Sequence, residues 1–171
     1  KPRILDCTLR DGSYVNNFSF SIEDTYNITK KLSKAGIDYI EIGHGLGLGA
    51  SSKTKFKSKY SDFDHMNSVK FLKKANWGVF CIPGIASKED IKKALSYKPK
   101  FIRVGSNLED YKHQEEFIKI IKRKKILVCS NLMKSYTLSP KKFAKIAIKM
   151  KNMGQDIIYL VDSAGGMTQN Q

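Results

Sequence analysis

Four ionisable side chains lie inside or directly after apolar runs, where an unpaired charge is costly. Arg10 and Asp11 follow Ile4-Leu5-Asp6-Cys7, Glu41 lies within Tyr39-Ile40-Glu41-Ile42, and Asp162 follows Ile157-Ile158-Tyr159-Leu160-Val161. Charges so placed are paired, or they hold a metal or a polar substrate, and these four can converge at one end of a sheet. On that cost a functional cluster is favoured over simple ion pairing. Tyr14 and Ser163 stand near these charges in sequence. His44, His65 and His113 are the only histidines, and no His-x-His pair occurs, so the chain offers no local two-histidine metal site. His44 ends an apolar run and can face a site, whereas His65 and His113 fall on helical stretches and suit packing or solvent. Cys7, Cys81 and Cys129 sit singly in apolar runs with no C-x-x-C. They read as buried free thiols of a reducing compartment, the cytoplasm.

The elements that must position these groups alternate. Short apolar runs at 3–8, 38–43, 77–82, 101–105, 126–130 and 157–162 read as strands buried on both faces, hence a parallel sheet. Helices fall between them. Ser21-Ile22-Glu23-Asp24 and Ser87-Lys88-Glu89-Asp90 resemble capping boxes, and the first of these helices ends at Gly36. Ser61 or Asp62 opens a helix to about residue 75, and another runs over about 109–123. Ser139 as N-cap, Pro140 at the first helical position and Gly154 beyond the end frame the last. Strict β-α alternation fits a doubly wound sheet or part of a (β/α)8 barrel. In both, chemistry gathers at the carboxyl ends of the strands. Gly45-Leu46-Gly47-Leu48-Gly49-Ala50 matches G-x-G-x-x-A, but a polar stretch of alternating lysines follows rather than a helix. The first βα turn carries Leu9-Arg10-Asp11-Gly12 instead of glycines, so nicotinamide binding is not expected.

The 171 residues are one domain's worth of chain, and 41% hydrophobic with 27% charged residues excludes a disordered composition. No apolar run approaches a membrane span, and no signal-peptide pattern opens the sequence. The net charge of +15 suggests a polyanion partner. Yet only Arg3, Arg10, Arg103 and Arg123 are arginines, the side chain that reads bases, and the lysines are spread along the chain. Nonspecific adhesion is expected, a dedicated nucleic-acid function is not.

Leu5-Asp6-Cys7-Thr8-Leu9-Arg10-Asp11-Gly12 resembles the signature of the metallolyase barrels that include hydroxymethylglutaryl-CoA lyase, isopropylmalate synthase and 4-hydroxy-2-oxovalerate aldolase. Ile40-Glu41-Ile42-Gly43-His44-Gly45, Ser51-Ser52, Pro83-Gly84-Ile85, Ile102-Arg103-Val104 and the run from Ile158 to Met167 follow in the order and spacing of the aldolase branch. The resemblance implies a (β/α)8 TIM barrel of which residues 1–171 supply strands one to six, an incomplete catalytic domain. It implies a divalent-metal-dependent carbon–carbon lyase that cleaves a 4-hydroxy-2-oxo acid to pyruvate and an aldehyde. By the same resemblance Asp11 is a ligand of Mn²⁺ or Mg²⁺, beside two histidines of a His-x-His on the seventh strand. Arg10 stabilises the enolate, Glu41 orients groups near the metal, and Ser163 helps hold the substrate carboxylate. Tyr14 stands where the aldolases carry a histidine base and the related synthases often carry glutamine. That departure keeps two alternatives: a bond-forming relative acting on another oxo acid or a sugar-derived aldehyde, and a non-catalytic barrel. The implied partners are the oxo-acid substrate, further copies of the chain, and an acetaldehyde dehydrogenase met through the family's C-terminal extension. Without strands seven and eight, residues 1–171 are expected to be inactive alone.

Overall fold

The computed structural model of the protein describes residues 2–168. Six strands form one sheet: β1 (Leu5–Asp6), β2 (Tyr39–Ile42), β3 (Trp77–Cys81), β4 (Phe101–Asn107), β5 (Leu127–Met133) and β6 (Ile157–Leu160). They lie in chain order, and every neighbouring pair is parallel. Consecutive parallel strands with helices between them are the winding of a TIM barrel, here its first six strands.

The strands' two-residue period divides their side chains. Ile40, Ile42, Val79, Ile102, Val104, Val128 and Leu132 join Ile91, Ile118, Ile121 and Met150 of the helices in one buried core. The alternate residues Glu41, Phe80, Arg103 and Tyr159 meet one another on the other face, inside the curl of the sheet. Below them Leu5, Tyr39, Phe101, Leu127 and Ile157 close around a space of about 10 Å³. The barrel floor inside the curl is therefore filled.

Helices α1 (Ile22–Lys34), α3 (Asp62–Val69) and α4 (Lys88–Ser96) each begin with a complete capping box, Ser21/Asp24, Ser61/Asp64 and Ser87/Asp90. Ser61, not Asp62, is the cap of α3. Gly36 (φ +83°) lies just past α1, in a conformation that favours glycine. The last helix, α6 (Pro140–Asn152), has Pro140 at its start, but the Ser139 side chain makes no capping bond.

Several boundaries differ from the sequence reading. β1 stops at Asp6 because the Cys7 carbonyl accepts from the N–H groups of Arg10, Asp11 and Gly12, which turns the chain. α3 ends at Val69, where three-residue turns (Leu72 N–H to Val69, Ala75 N–H to Leu72) lead into β3. The fourth helical stretch is a 3₁₀ segment, Leu108–Gln114, followed by α5 (Glu115–Lys122). Its tighter turn carries Gln114 behind the sheet, where Ser130 donates to its Oε1 and its Nε2 donates to Ser106. A one-turn helix, α2 (Ala50–Lys53), does follow the glycine-rich loop.

Candidate active site

The turn after β1 delivers Arg10 to the carboxyl rim. Its Nε donates to Glu41 Oε1 at 2.7 Å, and its Nη1 donates to Asp11 Oδ1 at 2.8 Å and to the Gly45 carbonyl at 3.2 Å. Glu41, on β2, has 0% exposure. A second guanidinium, Arg103 from β4, forks onto the same carboxylate, Nε to Oε2 at 2.8 Å and Nη2 to Oε1 at 2.6 Å. Arg103 is tied in turn to Asn131 Oδ1 at 3.1 Å and Cys7 Sγ at 3.5 Å. Both guanidiniums lie over the Phe80 ring, with Cζ at 4.7 Å for Arg10 and 5.2 Å for Arg103. A Cβ at Gly105 would collide with that ring, so β4 needs glycine where Phe80 rests.

Burial pushes the Glu41 carboxyl up, but the two guanidiniums and their hydrogen bonds outweigh it and hold it below the usual range. Glu41 is therefore an anion between two cations, and Asp11, paired with Arg10 at 2.8 Å, balances the second positive charge. Burial, with Glu41 nearby, raises the Cys7 thiol to about 11, which keeps it protonated and unreactive. Desolvation likewise raises Tyr159, to about 12. All three cysteines are free thiols, with Cys81 and Cys129 buried and Cys7 partly so.

Asp11 faces solvent, its side chain 66% exposed. A solvent-facing carboxylate beside a guanidinium has the chemistry of a hard-cation donor, so Asp11 suits Mg²⁺ or Mn²⁺ as one ligand. Among the described residues no three His, Cys, Asp or Glu side chains gather around a common point, so Asp11 would be a single donor of a larger shell. Tyr14 flanks the same turn, 45% exposed, its ring edge-on to Phe18 at 5.1 Å. Burial and then Asp11 raise its phenol, against the lowering influence of Arg10.

The glycine-rich loop supports this turn rather than a phosphate. A Cβ at Gly45 would lie 2.7 Å from the Tyr14 ring and 2.8 Å from Phe18. Asp62 anchors the loop from α3, accepting from the N–H of His44 at 3.1 Å and of Gly49 at 2.9 Å. His44 does not face the site. Its ring stacks on Phe18 at 4.3 Å, Nδ1 accepts from the Leu46 N–H, and Nε2 therefore donates to the Phe56 carbonyl. His65 packs between helices with Nδ1 2.8 Å from Thr25 Oγ1, and His113 is exposed near Asp110.

Arg10, Asp11 and Glu41 thus come together with Tyr14 beside them, while Asp162 and Ser163 are engaged elsewhere. Asp162 Oδ2 accepts from the Met167 N–H at 2.7 Å and closes the loop after β6 on itself. Ser163 Oγ accepts from the Lys134 N–H at 3.0 Å and ties that loop to the end of β5. Sequence reasoning missed Arg103, although a lone charge in Phe101-Ile102-Arg103-Val104 is the signal that marked Glu41. Asn131 and Phe80 carry no such signal, because an amide and a phenyl ring are unexceptional in or beside a strand.

This geometry belongs to a known architecture. The chain aligns with the N-terminal domain of an aldolase-type protein from Bacteroides vulgatus at a TM-score of 0.74 and 23% identity, covering 98% of this chain and 56% of that one. The carboxyl transferase domain of Rhizobium etli pyruvate carboxylase aligns equally well, TM-score 0.74 at 14% identity, over 98% of this chain and 32% of that one. Both likenesses concern the fold. In sequence, the 4-hydroxy-2-oxovalerate aldolase of Carboxydothermus hydrogenoformans is 36% identical over 98% of this chain and 50% of its own length. The Thermus thermophilus enzyme of the same name is 29% identical over 97% of this chain and 48% of its own. The chain spans about half the length of the curated relatives it matches. The family model for HMGL-like proteins matches residues 1–171, and the chain belongs to the HMGL-like family.

Proposed function

We propose that residues 1–171 are the first six βα units of one catalytic domain, and that the whole protein is a divalent-metal-dependent lyase. Its substrate is a 4-hydroxy-2-oxo acid, cleaved to pyruvate and an aldehyde. The observation that carries this reading is the Arg10–Glu41–Arg103 group, a buried carboxylate that fixes two guanidiniums, with Asp11 balancing the second charge at the solvent-facing end. A divalent cation on Asp11 would leave the site positive; an oxo acid brings the complementary negative charge, and bond cleavage adds more at the keto oxygen as the enolate develops. Arg10 is the member nearest the rim, and a guanidinium held in place beforehand stabilises that charge without reorganising. Glu41 holds Arg10 through Nε. Asp11 supplies one carboxylate oxygen for Mn²⁺ or Mg²⁺, and when bound the cation adds positive charge for the substrate's keto and carboxylate oxygens. Ser163, whose Oγ accepts from the Lys134 N–H and so sits apart from Arg10, would reach the substrate carboxylate only through its hydroxyl hydrogen. The reading places the enzyme in the cytoplasm, where its free thiols stay reduced, as a self-associating protein whose further partner is an acetaldehyde dehydrogenase. No described helix is long and apolar enough to cross a membrane.

The test is pyruvate release from 4-hydroxy-2-oxopentanoate by the full-length protein with Mn²⁺. Turnover that disappears with chelator is expected. A folded, metal-loaded protein that releases no pyruvate overturns the reading.

Tyr14 favours a second reading. Its raised phenol is protonated at neutral pH, so it donates a proton rather than taking one from the substrate hydroxyl. A proton donor suits the alkoxide produced when pyruvate enolate adds to an aldehyde, the bond-forming direction. Condensation of pyruvate with aldehydes outrunning cleavage would favour it, and Tyr14→Phe should then slow condensation.

A further inference from the structure

We propose that Arg103 is a positioning residue of this site: acting through Glu41, it fixes where Arg10 presents its guanidinium. The inference rests on the lyase reading for its kinetic test, and on geometry otherwise. Among the described residues every hydrogen bond to the Glu41 carboxylate comes from Arg10 or Arg103, and Arg103 supplies two of the three. Its planar fork grips both oxygens and so sets the plane of the carboxylate. Arg10 then has one direction in which its Nε can meet Oε1.

Arg103 is itself fixed from two strands and from the turn after β1. Nη1 donates to Asn131 on β5 and Nη2 reaches Cys7 beyond β1, while Cζ lies 5.3 Å from the centre of the Tyr159 ring on β6. The Phe80 ring stacks under both guanidiniums and limits the tilt of each. Each Arg103 nitrogen already has a protein partner, and the residue is 7% exposed. It is built to hold, whereas Arg10 at the rim is built to present. Lysine cannot reproduce this, because an ammonium grips one point and sets no plane.

The experiment compares the full-length protein with Arg103→Lys, Arg103→Met, Glu41→Gln and the double variant Glu41→Gln/Arg103→Met. Circular dichroism melts show which are folded, and Arg103→Lys, which keeps the charge and most of the volume, guards against a variant that does not fold. For Arg103→Lys a fall in kcat of about 10- to 100-fold is expected, with KM for the oxo acid within about threefold. The double variant should be no slower than Glu41→Gln alone, since both act through one carboxylate. A KM increase with kcat intact, or additive losses in the double variant, would show that Arg103 binds substrate itself and would overturn the proposal.

A second readout is independent of turnover. With ¹⁵N-arginine labelling, the Nε–H signal of Arg10, identified by its loss in Arg10→Lys, should be protected from exchange in the unaltered protein. It should broaden or exchange in Arg103→Lys. An unchanged Arg10 signal would reduce Arg103 to a packing residue and sink the proposal. A protein that releases no pyruvate in any form removes the lyase reading, and the Arg10 signal still decides the role of Arg103.

Discussion

A carboxylate as deeply buried as Glu41 is tolerable only because two guanidiniums reach it, and the dependence runs both ways. Glu41→Gln keeps the shape but leaves Arg103 without an anionic partner and Arg10 with only the solvent-facing Asp11. Breaking a buried pair from one side costs about 3–5 kcal/mol, and a loss of that size is expected in urea denaturation. A loss below about 1 kcal/mol, the size typical of exposed pairs, would mean that the cluster is more solvated than its geometry indicates. The histidines give a pH signature. Burial lowers both His44 and His65 below the ordinary value of about 6.5, so each binds fewer protons folded than unfolded. Their contribution is present above about pH 6.5 and is lost as pH falls from there toward the folded values. The buried Asp62, pushed up by desolvation, works in the opposite sense. Denaturation midpoints at about pH 7 and about pH 5 should therefore drop on acidification, and the drop should shrink in His44→Gln/His65→Gln. An equal drop in that variant would assign the effect to other groups. Arg10, Asp11 and Glu41 were legible in the sequence because a charge in or just after an apolar strand must be answered. The positions of Ser163 and Asp162 were not, since loop hydrogen bonds such as Lys134 N–H to Ser163 Oγ leave no periodic trace.

Helix starts were the most legible elements, because a capping box is a local device with fixed spacing. Ser21, Ser61 and Ser87 each accept from the backbone N–H three residues on, and each partner Asp answers the cap's own N–H. Ser139 shares the extended backbone of these caps but not the bond. Ser21→Ala should therefore cost about 1 kcal/mol, and Ser139→Ala only a few tenths, in the same denaturation measurement. Equal costs at the two sites would show that backbone conformation, not the hydroxyl, makes these caps. Helix ends were less legible where tertiary contacts set them. The 3₁₀ segment before α5 answers to Gln114, whose partners Ser106 and Ser130 lie on two different strands. The one-turn helix α2 answers to Asp90 of α4, which accepts from Lys53 at 2.6 Å. Neither pairing is visible in a window of ten or fifteen residues.

At the scale of the molecule, strand order was legible because parallel strands buried on both faces read as apolar runs, and short connections keep consecutive strands adjacent. What six strands do without the rest of a barrel follows from two properties. The first concerns chemistry. Asp11 is a single donor, so the 171-residue chain alone should bind Mn²⁺ weakly and release no pyruvate, and submicromolar affinity by calorimetry would contradict this. The second concerns the sheet's two flanks. β1 and β6 each have one neighbour among the described residues. β1 pairs over only two residues, Leu5 and Asp6, and presents little unpaired backbone. β6 is longer and apolar, with Leu160 at 56% exposure, and an exposed apolar edge is a template for another strand. The chain's positive charge repels copies at long range but leaves backbone N–H and C=O groups uncovered. Light scattering of the 171-residue chain in moderate salt, where that repulsion is screened, should show a mass that rises with concentration. Leu160→Lys places a charge on the β6 edge and should reduce the rise, while the same change at the exposed Val15, which belongs to no strand, should not. A concentration-independent monomer with a cooperative melt would show that six βα units close their own edges, and that the β6 flank does not drive assembly.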